Sequence, residues 1–124
     1  SLQNHDFTRI FAGAGTTLTN ADQFYAVAMN SETYDLGGWH DLVTNNSRIT
    51  PGVVGYYKVI ANCSYAAIAD RVEGVTGIGV NGTAVSFVRY KQSSAAGANM
   101  NVMCTDLIYL SNVTDYIELL ARSS

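Results

Sequence analysis

Gly55-Tyr56-Tyr57-Lys58-Val59-Ile60-Ala61-Asn62-Cys63-Ser64-Tyr65 alternates with a period of two. Successive side chains of a strand point to opposite faces. Tyr57, Val59, Ala61, Cys63 and Tyr65 therefore form one wholly apolar face, and Tyr56, Lys58, Ile60, Asn62 and Ser64 a mixed one. A strand of this kind belongs in a sandwich, with one face in a core. Residues 99–110 repeat the pattern, with Val102, Cys104, Ile108 and Leu110 on one side and Met103, Leu107 and Tyr109 on the other. Both sides of that second strand carry large apolar groups. Asp106 sits oddly on its core side, and a backbone amide, Arg48 and Arg89 are its candidate partners.

The rest of the chain reads as short strands cut by turns. Residues 7–11 form a first strand, residues 13–20 a Gly/Thr loop, and residues 23–29 an Ala-rich strand candidate. Residues 33–46 are polar and turn-rich, and Pro51 marks a strand entrance. Residues 71–80 and 84–90 flank Asn81-Gly82, the strongest short hairpin signal. Residues 91–98 make a small-residue loop, and residues 116–120 a closing strand. No segment carries a helical apolar stripe. About eight strands in one domain spanning 1–124 suit an all-β, two-sheet antiparallel jelly-roll sandwich.

Composition narrows the partners. The chain has 124 residues and a mass of 13.3 kDa, one domain with one modest core. Apolar residues make up 48% and charged ones only 14%, against roughly 25% charged in an average soluble domain. So poorly charged a surface points to coverage by another chain. A net charge of −3 and only seven basic residues, singly scattered, exclude a nucleic-acid footprint. No apolar run is long enough for a membrane helix. With neither a signal-peptide pattern nor an initiator Met, the chain reads as a piece or matured product of something larger. Cys63 and Cys104 read as free buried thiols, with a single bridge as the alternative.

Several motifs have a bland reading that outweighs the chemical one. Gly77-Ile78-Gly79-Val80-Asn81-Gly82 matches a dinucleotide fingerprint, but residues 84–88 after it read as a strand rather than the helix whose amides would hold a pyrophosphate. Asp35, His40 and Asp41 suggest a metal or acid–base site, yet the ligand set for zinc or calcium is incomplete. A structural His beside Trp39 is the better reading. No strand–turn–helix elbow activates a serine. Neither a catalytic residue, nor a cofactor, nor a metal is expected. Matches to the N-glycosylation pattern at Asn45, Asn62, Asn81 and Asn112 read as chance in an Asn-, Ser- and Thr-rich chain. Tyr25, Tyr34 and Tyr90 could stack on sugars, with core or interface packing as the alternative.

Tyr34-Asp35-Leu36-Gly37-Gly38-Trp39-His40-Asp41 is followed by Ser47-Arg48-Ile49-Thr50-Pro51, then Gly55-Tyr56-Tyr57-Lys58-Val59, Val80-Asn81-Gly82-Thr83 and Asp115-Tyr116-Ile117-Glu118-Leu119. This order resembles the jelly-roll head shared by complement subcomponent q and tumour necrosis factor. It is most similar to the versions in bacteriophage fibre, spike and head-decoration proteins. Gly37, Gly38, Trp39, His40 and Asp41 carry the most specific part of the likeness. The resemblance implies a homotrimer with Tyr56, Lys58, Ile60, Met103, Leu107 and Tyr109 turned towards the threefold axis. It also implies one more strand, in mid-sheet, after the region of residues 121–124. Residues 7–11 are expected to take that place, so that residues 1–20 complete the sheet. A neighbouring chain or a missing segment is the alternative.

The function expected is that of a non-enzymatic virion component on the virion surface. It is the trimeric tip of a head fibre, decoration protein or tail fibre, binding a cell-surface glycan or receptor. Capsid or fibre proteins of the same virion are further expected partners; nucleic acid and membrane insertion are not. Alternatives are a purely structural capsid cement and a secreted complement-q-type recognition protein.

Overall fold

The computed structural model describes residues 7–68, 73–91 and 98–123. Among them every regular element is a strand: β1 (Thr8–Phe11), β2 (Tyr25–Ala26), β3 (Ser31–Asp35), β4 (Arg48–Ile49), β5 (Gly55–Ile68), β6 (Glu73–Val80), β7 (Thr83–Lys91), β8 (Ala98–Leu110) and β9 (Ile117–Ser123). All pairings are antiparallel. The largest sheet has the order β2-β9-β6-β7, with β4 also on β9, while β5 pairs with β8 and β1 with β3.

The long alternating stretch forms the strand its pattern requires. β5 and β8 run in unbroken register from Gly55 opposite Leu110 to Tyr65 opposite Met100. Their inward side chains meet the larger sheet in two clusters. Ala61, Cys104, Ile108 and Leu110 close on Ile78 and Ile117, and Tyr65, Met100 and Val102 close on Val27, Met29 and Ala121. The protein is thus an all-β antiparallel sandwich whose core lies between β5–β8 and β6–β9. Complete burial of an aliphatic side chain such as Ile78, at 0% exposure, contributes about 1.5–3 kcal/mol.

The hairpin signal behaves as its chemistry demands. Asn81 and Gly82 both have positive φ, 53° and 85°, the turn geometry that joins β6 to β7 through Val80 opposite Thr83. The GxGxxG string runs on into β7, so no helix N-terminus stands behind it.

Several boundaries differ from the sequence reading. The segment 23–29 pairs as a strand only over β2, because Val27 and Met29 then donate singly to Leu119 and Asn46 carbonyls. β3 emerges from a stretch read as polar turn, since Glu32 and Asp35 carry bonds to other segments. β9 extends to Ser123 because β6 offers partners as far as Gly74. Residues 92–97, most of the small-residue loop, and residues 71–72 lie outside the described residues.

Residues 7–11 do not complete the β5–β8 sheet. β1 pairs with β3, from Thr8 opposite Asp35 to Phe11 opposite Ser31. One side-chain and one backbone bond accompany that pairing: the Thr8 hydroxyl donates to Asp35 Oδ1 at 2.6 Å, and the Leu36 amide donates to the Phe7 carbonyl.

Candidate interaction surface

The outward side of β5 and β8 is a two-strand face with an apolar end. Tyr56 lies opposite Tyr109, Lys58 opposite Leu107, Ile60 opposite Thr105, and Asn62 opposite Met103. Tyr56 is 70% exposed, Ile60 65%, Leu107 61%, Met103 59% and Tyr109 52%. Exposed apolar residues are normal when scattered singly; a contiguous patch marks contact with something else. Towards the other end the face turns polar through Ser64 opposite Asn101. All six residues expected at a trimer axis are therefore gathered on one exposed face, Lys58 included.

The Gly-Gly-Trp-His-Asp block forms a structural corner beside this face. Gly37 is required by crowding, because a Cβ there would stand 2.1 Å from Trp39 Nε1. Gly38 is required by its backbone, at φ 67°. The turn sets the Trp39 ring edge-on to Tyr57, with centroids 5.7 Å apart at 87°. Asp35 holds the turn from below: Oδ1 accepts the Trp39 amide at 2.9 Å and Oδ2 the His40 amide at 3.0 Å. Burial works against the Asp35 charge, but the Thr8 hydroxyl, those two amides and the nearby His40 ring outweigh it and hold the carboxyl below its usual range.

His40 is a packed residue in this corner. Its side chain is 0% exposed, Nδ1 lies 2.7 Å from Glu32 Oε2, and Nε2 lies 2.7 Å from the Asn46 carbonyl oxygen. That oxygen can only accept, so Nε2 donates to it. Asp41 caps the next turn by accepting the Thr44 and Val43 amides, which keep its carboxyl low. Asp35, His40 and Asp41 thus serve three different local bonding sets. Among the described residues no cluster of metal-ligating side chains is present.

The second motif is a lock between two turns. Asp115 accepts Asn81 Nδ2 at 2.9 Å and the Ser111 and Asn112 amides at 3.0 Å, and the Tyr116 amide donates to Asn81 Oδ1 at 3.1 Å. The Asn81 side chain, then the Asn112 amide, lead in lowering the Asp115 carboxyl. Glu118, buried, accepts the Ser47 hydroxyl. The Arg48 guanidinium lies 4.1 Å from the centroid of the Tyr116 ring.

Remaining candidates fall apart in space or find local roles. Tyr25 bonds Thr19 and the Asn20 amide through its hydroxyl, while Tyr34 and Tyr90 are exposed on β3 and β7. Asp106 is exposed and accepts the Leu107 amide, one of the partners open to it from the sequence. Cys63 and Cys104 are free thiols; Cys104 is buried and Cys63 partly so. Burial pushes the Cys63 thiol up. Glu32, the carboxylate partner of His40, went unread in the sequence because it falls between the 23–29 strand candidate and the polar stretch 33–46.

No protein-family model matches the chain, and no curated protein matches it either.

Proposed function

We propose that this protein is a non-enzymatic assembly and adhesion module: a jelly-roll head that trimerises through the outward face of β5 and β8. The observation that carries the reading is the contiguous exposed patch of Tyr56, Ile60, Met103, Leu107 and Tyr109. It accounts for the low charged fraction of the chain, because the apolar surface that charges would otherwise dilute is covered in the assembly. The order β2-β9-β6-β7 facing the β5–β8 pair supports the jelly-roll topology. The corner at Asp35–His40 supports a structural role for the family-like block.

The setting proposed is the virion surface, at the tip of a phage head fibre, decoration protein or tail fibre. That part rests on the resemblance of the Gly-Gly-Trp-His-Asp, Asn-Gly and Asp-Tyr-x-Glu-Leu blocks. Loops at the ends of a rigid sandwich would carry the contact with a cell-surface glycan or receptor. Binding of the labelled protein to host cells and to a glycan panel tests it, with capsids as a parallel arm. Saturable binding to cells or a glycan upholds adhesion. Binding to capsids alone replaces it with a cement role.

A further inference from the structure

The outward face of β6, β7 and β9 carries a cluster of charges and aromatic rings, on the layer opposite the β5–β8 patch. Odd-numbered residues of β6 point to it. Val75 is 1% exposed yet belongs to neither core cluster, and a Cβ at Gly77 would stand 3.4 Å from Phe24 Cε1 and from Phe87 Cβ. The register sets the cluster out in rows. Arg89 and Arg122 flank Val75, Phe87 and Leu120 flank Gly77, and Lys91 lies opposite Glu73.

With no side chain at Gly77, the Phe24 and Phe87 rings meet, their centroids 6.1 Å apart and their planes tilted by 58°. A guanidinium stands over each: Arg122 Cζ is 5.1 Å from the Phe24 centroid and Arg89 Cζ 5.3 Å from that of Phe87. Glu73 sits between the two arginines, its Oε1 3.7 Å from Arg122 Nη2 and 4.0 Å from Arg89 Nε. Both distances are longer than a hydrogen bond. One carboxylate thus answers three cations loosely, in a chain of net charge −3. Glu118, two rows on beside Gly79, is buried and accepts the Ser47 hydroxyl. Even with Asp22 at the margin, where its amide donates to the Ser123 carbonyl, cations are in excess. The cluster is open to solvent, with the Arg89 side chain 54% exposed and Phe87 47%.

We propose that this cluster binds a carboxylated sugar, a hexuronic or sialic acid residue of a glycan. The sugar carboxylate takes the Arg89 guanidinium, whose planar fork matches it with two parallel N–H donors. The exposed ring of Phe87 offers apolar surface to the C–H face of the pyranose. Glu73, an acceptor only, holds the guanidiniums in place and takes a sugar hydroxyl. A nucleic acid fits worse, because its phosphates need a stripe of cations and these close around a carboxylate. A bare inorganic anion would leave the rings unused.

The saccharide part of the proposal rests on the adhesion reading above; the negative charge rests on the geometry. The cluster stands where β6 begins and where β7 and β9 finish, so it lies at one end of the sandwich. It is also on the layer away from the self-association face.

Amide NMR of the full 124-residue chain tests it. The probes are the methyl glycosides of glucuronic acid and N-acetylneuraminic acid, each beside its uncharged methyl ester, with inorganic phosphate and oligothymidylate as other anions. One acidic sugar or both should saturably shift the amides of residues 73–75, 87–91 and 121–123, and the one that binds names the source. The acid should bind about tenfold more tightly than its ester. Arg89→Gln and Phe87→Ala, both at exposed positions, should each weaken binding about tenfold, and Glu73→Gln should tighten it by removing the competing carboxylate. Absent shifts at these residues, esters that bind as well as acids, binding that survives Arg89→Gln, or phosphate or oligothymidylate held here as tightly as the sugars would each overturn the proposal. Glycans bound through other residues would sink this site and leave adhesion standing. Acidic sugar bound here by a chain that ignores host cells would do the reverse.

Discussion

Tyr56 and Tyr109 face each other across β5 and β8, their ring centroids 4.8 Å apart at 52°, and both rings point away from the core. A cross-strand aromatic pair contributes about 0.5–1 kcal/mol beyond its separate residues. A double-mutant cycle with Tyr56→Ala and Tyr109→Ala, read by urea unfolding at a concentration where the protein is monomeric, should return that coupling. A coupling of zero would mean that the two rings touch only in the assembly.

Gly37→Ala should destabilise the protein by about 1–3 kcal/mol, the usual cost of forcing atoms into a filled space. The added methyl meets the Trp39 indole, which must leave its place against Tyr57. Since the chain has one Trp, its fluorescence reports the displacement directly, as a shifted emission maximum in the folded state.

Asn81→Ala should cost about 1–3 kcal/mol, because it removes two turn-to-turn bonds and leaves a Cβ-bearing residue at positive φ without the side chain that tolerates it. The loss should appear in the thermal midpoint. Asn81→Gly should recover the backbone part and not the Asp115 part.

Acid should weaken the fold. Asp35, Asp41 and Asp115 all have carboxyls held below the ordinary value of 3.8. A depressed folded-state value gives stability that is present above the unfolded value and lost as pH falls through the folded one. Urea midpoints should therefore be level above about pH 5 and decline below about pH 4. Asp35→Asn should flatten part of that decline. A wild-type midpoint that stays level down to pH 2 would contradict the role given to these carboxylates.

The strands with one apolar face were legible because period two and burial coincide in them: Tyr57, Val59, Ala61, Cys63 and Tyr65 of β5 and Val102, Cys104, Ile108 and Leu110 of β8 face the core as their alternation says, while Asp106, in the same register, is exposed. The outward patch was legible for the same reason, since a strand apolar on both faces must cover the second one. β3 was hidden because its pairing is fixed by polar side chains, with Glu32 and Asp35 spending their oxygens on His40, Trp39 and Thr8. Nor did local pattern reveal the place of β1. Thr8–Phe11 meets β3 rather than β5, and the Thr8–Asp35 bond that accompanies the pairing is a contact between residues far apart in sequence.

Sedimentation equilibrium of the wild-type chain beside Leu107→Asp tests the central claim most directly. Leu107 is 61% exposed, so the variant keeps its core and buries a charge only if the face is covered. The wild type should sediment at three times its 13.3 kDa chain mass and the variant at one. A wild type that remains at 13.3 kDa across the accessible concentrations, or a trimer indifferent to Leu107→Asp, would contradict assembly through the β5–β8 face.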